Sequence, residues 1–213
     1  MSVRILTTVV TPATDRKLVT LLIAKDDLEI PAADTTKDAF LTRAIEEISA
    51  QMSEYCGRVF PVETVRDTIF LAGAASSLSL SRWPVTSIAS VVETDGAGAS
   101  TTLAANVDYM VDEATAMLTR LDATSLCPVR WTARKIVAQY AAGYATIPSN
   151  LKGYALRLIT SRFRARGRDP LVKGTDQPGL GSQTFWIGAV PGETGPFPND
   201  ICDGLDLYRM PQA

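Results

Sequence analysis

Apolar residues recur at helical spacing in three stretches of this chain. The clearest stripe advances by four, three, four and three residues through Leu41, Ile45, Ile48, Met52 and Tyr55. Residues at such steps lie on one face of an α-helix, and an apolar face of this kind is buried against a core. The stripe predicts a helix over about 37–57, which Gly57 would end in the left-handed conformation found after many helices.

Two shorter stripes predict further helices. Leu18, Leu21 and Leu22 predict a helix over about 14–26, after two residues of helix-capping type. A third helix is expected over about 149–166, because a proline precedes it and apolar residues then repeat on one face. Together the three helices would form a small bundle.

Apolar and polar residues alternate between about 62 and 140. In the first of these runs, Val65, Ile69 and Leu71 fall on one side of the chain. A period of two is typical of half-buried strands, and short strands joined by turns favour an antiparallel sheet. The predicted fold class is therefore α+β, with a small helical bundle of three main helices and an antiparallel β insertion over about 62–140.

The C-terminal part of the chain has a different composition. Residues 169–213 hold 6 of the 12 prolines and 7 of the 14 glycines. This content predicts an extended C-terminal arm that follows a folded domain over 1–168. A flexible segment with apolar anchors is typical of a docking arm, and the alternative is that it folds back over its own core. The anchors are Phe185, Trp186, Ile201, Leu205 and Tyr208.

One short segment is strongly basic, although the formal net charge of the chain is −2. Residues 149–168 contain no acidic side chain, and their basic ones include Arg157, Arg162, Arg164, Arg166 and Arg168. A basic face can bind nucleic-acid phosphates. Long arginine side chains can instead cover an apolar helix and pair with acidic groups of a neighbouring subunit. The acidic balance of the chain favours a subunit interface, and DNA-facing arginines are the alternative.

The composition excludes several kinds of catalytic and metal site. Histidine is absent, which removes Ser-His-Asp and Cys-His catalysis together with histidine metal sites. The 3 cysteines form no CxxC pair and cannot supply a zinc site of four cysteines. No phosphate-loop pattern occurs. We therefore expect no enzymatic activity, no cofactor and no metal.

The chain offers no hydrophobic segment of the length that a membrane requires. Spanning a bilayer takes about 18 or more apolar residues, and no run of that length is present. Thr7, Thr8 and Pro12 interrupt the N-terminal apolar run too early for a signal peptide. We expect a protein that is made and kept in a cytoplasm, without a membrane partner.

Six short motifs occur in order along the chain. They are Phe40–Ala50, Tyr55–Phe60, Trp83–Ile88, Asp108–Tyr109, Gln139–Tyr144 and Leu207–Pro211. Their order resembles that of the head–tail connector, or adaptor, proteins of long-tailed bacteriophages and gene transfer agents. The resemblance covers nearly the whole chain. It departs from the family pattern at the end. Two residues separate the leucine from the tyrosine in the family, whereas Leu207 directly precedes Tyr208 in this chain.

The resemblance implies a structural virion protein. Adaptors of this family form a ring, generally a dodecamer, on the portal, where they extend the DNA channel and link the capsid to the tail. The implied partners are the portal protein, further copies of this chain, a downstream head-completion or tail protein, and DNA that passes without sequence recognition. The implied location is the head–tail junction of a virion that is assembled in the bacterial host cytoplasm.

The resemblance also assigns roles to segments of this chain. Residues 1–168 would be the adaptor domain. The arm over 169–213 would dock on the portal through the anchors given above, joined by Leu207 and Arg209. The alternative is a nucleic-acid-binding module that uses the arginine-rich helix over 152–168.

Overall fold

The computed structural model describes residues 3–166, 174–177, 181–184 and 196–209. The chain divides into two compact units. The β-rich unit comprises Met1–Asp15 and Val59–Thr146, and the helical unit comprises Arg16–Arg58 and Ile147–Ala213. The predicted mixture of helices and antiparallel sheets is confirmed.

The β-rich unit contains two antiparallel sheets. Its strands in chain order are β1 (Val3–Thr11), β2 (Glu63–Leu71), β3 (Leu78–Ser79), β4 (Val85–Thr94), β5 (Ser100–Leu103), β6 (Tyr109–Asp112), β7 (Met117–Leu121), β8 (Pro128–Val129) and β9 (Lys135–Ala142). The larger sheet has the order β1-β2-β9-β4-β5, and the smaller one has the order β3-β7-β6, with β8 beside β7. β6 and β7 form a hairpin in which Tyr109 pairs with Arg120 and Asp112 pairs with Met117.

Alternation along β2 and β9 builds the core of this unit. Every second residue of β2 from Glu63 to Leu71 is buried, as the period of two predicts. The register sets Val65 opposite Tyr140 and Ile69 opposite Ile136, so the buried residues of both strands share one face. Trp131 is fully buried in the same cluster.

A buried polar network ties a loop to these central strands. The carboxylate of Asp67 accepts hydrogen bonds from the Tyr140 hydroxyl at 2.7 Å and from the Ser81 amide and hydroxyl, each at 2.7 Å. Burial, together with the nearby Asp67 charge, raises the pKa of Tyr140 far above its ordinary value, so this phenol stays protonated and donates. Because a buried carboxylate is costly unless it is hydrogen-bonded, the network fixes the segment around Ser81 to the sheet.

The helical unit contains four helices among the residues that the structure describes. They are α1 (Leu21–Asp27), α2 (Asp38–Cys56), α3 (Ser149–Arg164) and α4 (Asn199–Asp206), and a hairpin of β10 (Gly174–Gln177) and β11 (Gly181–Thr184) lies between α3 and α4 in the chain. α2 and α3 pack on each other, and each also contacts α1 and α4. The predicted stripe of α2 is buried from Leu41 to Met52, and Gly57 adopts φ 66° at its end, as expected.

The N-terminal segment differs from its prediction. The first helix begins at Leu21 rather than near residue 14, because the Thr20 side chain accepts a hydrogen bond from the Ile23 amide and caps the helix there. Leu18 is buried outside the helix. The strand β1 was not predicted, since apolar residues occur on both of its faces and no simple alternation results.

The expectation of an extended arm is wrong over Asn199–Asp206, which is helical. Ile201 and Leu205 stand one helical turn apart, and both are buried. Asp200 lies in the first turn, where a negative charge suits the helix dipole. The proline and glycine content of the surrounding segment hides this short amphipathic helix in the sequence.

Gly143 supplies a sharp test of the packing beside β9. Its φ is 127°, and a Cβ built on it would lie 2.6 Å from the Pro61 carbonyl oxygen. We expect Gly143→Ala to lower the free energy of unfolding by about 2 kcal/mol or more, because backbone must move to admit the methyl group. Urea denaturation measures the change. Gly73→Ala is the control, since nothing lies within 4 Å of its Cβ position. Equal losses in the two variants would contradict the prediction.

Candidate interaction surfaces

The arginine-rich face of α3 is engaged with acidic groups of its own unit. The Arg157 Nη1 atom lies 2.6 Å from Asp200 Oδ2 of α4. Arg162 forms an ion pair with Glu47 of α2. All four side chains are about half exposed, so each pair contributes about 0–1 kcal/mol to stability. The sequence predicts acidic partners for these arginines on a neighbouring subunit, whereas these two partners belong to the same chain.

Arg166 is held by aromatic rings. Its guanidinium carbon lies 4.5 Å from the ring centroid of Phe40 and 5.7 Å from that of Phe163. The two rings meet edge to face at 6.1 Å. A cation over an aromatic face gains about 0.5–1 kcal/mol at an exposed site. Arg164 is exposed, and Arg168 lies outside the described residues.

The C-terminal helix α4 packs into the helical unit. The Tyr55 hydroxyl donates to Asp206 Oδ1 at 2.9 Å, and the Tyr55 ring meets Phe197 edge to face at 5.8 Å. The Cys56 thiol donates to the Leu205 carbonyl oxygen at 3.6 Å. The sequence predicts that Ile201 and Leu205 are docking anchors, whereas both are buried among residues of their own chain. Their spacing of four residues is the sequence signal for this helix.

Accessible anchors remain at the end of the described chain. Leu207 is 82% exposed, the largest exposed fraction among the large apolar side chains that the structure describes. Tyr208 is partly buried, and Arg209 is exposed with its guanidinium carbon 5.3 Å from the Tyr55 ring centroid. These three residues form the C-terminal patch. The predicted anchors Phe185 and Trp186 lie outside the described residues.

The described residues line a groove beside α1 but form no metal-binding cluster. They contain no group of three or more histidine, cysteine, aspartate or glutamate side chains placed to hold a metal ion. A groove of about 380 Å³ beside α1 is lined by Leu22, Ile23, Lys25, Asp26, Ile30 and Ala32. Lys25 is buried there, but it pairs with Asp38 at 2.6 Å and donates to the Ala32 carbonyl oxygen. The charge of this lysine is thus neutralised by its own unit.

None of the helices in the described part of the chain combines the length and apolar character needed to cross a membrane.

The chain shares its fold with a protein of a gene transfer agent (GTA) particle. A chain from the neck of an empty GTA particle, computed with C6 symmetry, matches with a TM-score of 0.54 and 17% identity, and the match covers 98% of this chain and 97% of that one. A chain from the virion of a native GTA particle gives a TM-score of 0.49 at 15% identity, covering 97% and 96%. No protein family and no curated protein matches the sequence. The first likeness establishes a common fold over the whole chain.

Thiol labelling tests whether α4 covers Cys56 in solution. Burial raises the pKa of Cys56 to about 11, so only about one thiol in a thousand is the reactive thiolate at pH 8. Cys127 is exposed, and we expect maleimide to label it first. Leu205→Ala removes a fully buried side chain from α4 and should speed Cys56 labelling by about tenfold or more.

The control for this labelling is Leu207→Ala, which truncates a neighbouring side chain that is exposed. It should leave the rate at Cys56 unchanged, as followed by mass spectrometry of the labelled peptides. An equal rate in wild type and Leu205→Ala would mean that α4 does not protect Cys56.

Proposed function

We propose that this chain is a structural virion protein, a head–tail connector that forms a ring on the portal and links the capsid to the tail. The observation that supports the proposal is the common fold with a neck protein over 98% of the chain. The order of the sequence motifs points to the same class. In this proposal the ring extends the DNA channel, and the protein acts without catalysis or cofactor and without a membrane partner.

Copies of the chain would join head to tail. A heterologous contact joins two different surfaces of neighbouring copies, and it closes into a ring when the rotation between neighbours is a whole-number fraction of a full turn. The matching neck chain comes from an assembly treated with sixfold symmetry. We propose a dodecamer, as the family resemblance implies. Its partners would be the portal, a downstream head-completion or tail protein, and DNA that is not read for sequence. The ring would be part of a virion assembled in the host cytoplasm.

The C-terminal patch is the proposed portal contact. Leu207 offers apolar surface and Arg209 a charge, while Tyr208 combines an apolar ring with a polar tip, a type of side chain enriched at interfaces. Ile201 and Leu205 would support this patch by anchoring α4 in the helical unit. Phe185 and Trp186 stay predicted anchors of the same arm.

A nucleic-acid-binding module is the rival proposal, and the contacts of α3 weaken it. Arg157 and Arg162 already face carboxylates, and Arg166 stacks on aromatic rings. A phosphate would have to compete with these intramolecular contacts. We therefore propose that the subunit surface includes Arg157, Arg162, Arg164, Arg166 and Arg168, of which Arg164 is exposed.

Portal binding tests the connector proposal. We expect wild-type protein to co-sediment with the portal protein of its own particle in a fixed copy number. Leu207→Glu combined with Tyr208→Ala should weaken this binding by at least about tenfold, because it removes central apolar contacts. Point changes are preferable to truncation, since deleting α4 would expose the buried surface beneath it.

Leu22→Glu is the matched control for portal binding, because Leu22 is also an exposed leucine of the helical unit. It should bind the portal like the wild type. Failure of the wild-type chain to bind any portal would overturn the connector proposal. Normal binding by the double variant would remove only the C-terminal patch from it.

DNA binding separates the two proposals. A phosphate-binding helix would give an affinity for duplex DNA that falls steeply with salt. The slope of the logarithm of the binding constant against the logarithm of the salt concentration would be about −0.9 for each phosphate contacted. We expect a shallow slope for the purified chain, unchanged by Arg164→Glu. Arg43→Glu is the control, with the same charge change at an exposed arginine of α2. A steep slope that decreases by about one in Arg164→Glu alone would favour the nucleic-acid module.

A further inference from the structure

The strand β1 presents an open sheet edge. All nine of its residues are exposed, and no described strand pairs with its outer side. Its exposed apolar residues, each between 36% and 47% accessible, are Val3, Ile5, Leu6, Val9 and Val10. Its one charged residue is Arg4. Natural edge strands are usually guarded by charges, prolines, bulges or a covering loop, because an open edge can pair with another chain.

One face of β1 is a continuation of the core. Val3, Ile5 and Val9 pair in register with Leu71, Ile69 and Val65 of β2. Residues that pair directly point to the same side of a sheet, and these three β2 partners are buried in the core cluster. The face of β1 that carries Val3, Ile5 and Val9 is called its inner face. It continues the apolar surface of the core, but its side chains are exposed.

The opposite edge of the same sheet is guarded. β5 is only four residues long, and β4 has register shifts at Val85/Ser87 and at Ile88/Ser90. Short edge strands and bulges both discourage further pairing. By contrast, β1 keeps a regular register from Val3 to Val9, and its one register shift lies at its end, between Val9 and Thr11. The β5 edge therefore has features that discourage pairing, whereas most of the β1 edge can accept a further strand.

We propose that β1 is a contact between copies of this chain, whose neighbour in the ring pairs with its open edge and covers the exposed apolar residues on both of its faces. This inference rests on the proposed ring and names the surface that builds it. A strand of nine residues is about 30 Å long. Five exposed apolar side chains line this length and give a neighbouring copy apolar surface to bury.

The charge of β1 favours a second copy over other occupants. Copies of a chain with net charge −2 repel one another weakly, and a contact that carries almost no charge adds no like-charge cost. The same neutrality gives DNA or an anionic lipid surface little to bind. A copy of this chain can therefore cover β1 mainly through backbone hydrogen bonds and apolar contact, the mode of strand addition.

Leu6→Lys tests the assignment, because lysine on an edge strand opposes pairing. We expect the concentration needed for ring assembly on the portal, measured by analytical ultracentrifugation, to rise at least about tenfold. Met110→Lys is the matched control, since Met110 lies in the same unit with 48% exposure against 47% for Leu6. It should assemble like the wild type. Thermal unfolding of both variants checks that each is folded.

Crosslinking identifies the occupant directly. Thr7→Cys, in a Cys127→Ser background, would carry a benzophenone maleimide on the inner face of β1. Rings assembled from isotopically light and heavy copies should give mixed crosslinked peptides, which arise only between copies. Crosslinks to the portal or a tail protein alone would overturn the inference.

The two proposals fail in different ways. If wild type forms the ring and Leu6→Lys assembles equally well, β1 is not the contact and the connector proposal stands. If wild type forms no oligomer on any portal, both proposals fail. Loss of assembly in Leu6→Lys with normal assembly of Met110→Lys supports both.

Discussion

The pairing of β2 with β9 is the interaction on which the β-rich unit depends. β1 attaches to the sheet through β2, while β4 and β5 attach through β9. The network of Asp67, Tyr140 and Ser81 crosses these two strands, and each of its buried polar groups has a partner. Beside β9, the chain passes so close to the Pro61 carbonyl that only glycine fits at position 143. Apolar packing, a satisfied polar network and a backbone constraint therefore converge on one strand pair.

In the helical unit, intramolecular contacts engage basic side chains that the sequence alone would suggest are free. Six basic residues without an acid suggest a free cationic face when only the sequence is considered. In the folded unit, Glu47 and Asp200 approach from two other helices, and the ring of Phe40 accepts Arg166. Each of these contacts is weak because its groups are partly exposed. Together they fix the arginine side chains and lower the positive potential that a nucleic acid would meet.

The sequence predicted the elements whose hydrophobic period is clean. α2 has an uninterrupted apolar stripe, and β2 and β9 alternate without error, so local pattern and tertiary burial agree. β1 escaped prediction because apolar residues occupy both faces, which removes the period that reveals a strand. α4 escaped because its neighbours are rich in proline and glycine. Glu47, which pairs with Arg162, and Phe40, which contacts Arg166, lie more than 100 residues away in sequence, and no local pattern could predict them.

If the work of this protein is assembly, as proposed, a common fold at 17% identity is physically reasonable. A core tolerates extensive apolar substitution when volume and pattern are kept, so the fold can persist while most residues change. Catalysis would fix particular side chains, whereas a ring fixes surfaces that need only complement one another. Complementary surfaces can change together in each lineage. The informative residues in this chain are therefore those whose exposure its own fold leaves unexplained, above all the apolar edge of β1 and the exposed Leu207. Burial of both against other chains would remove apolar surface from water, which is the principal driving force for association.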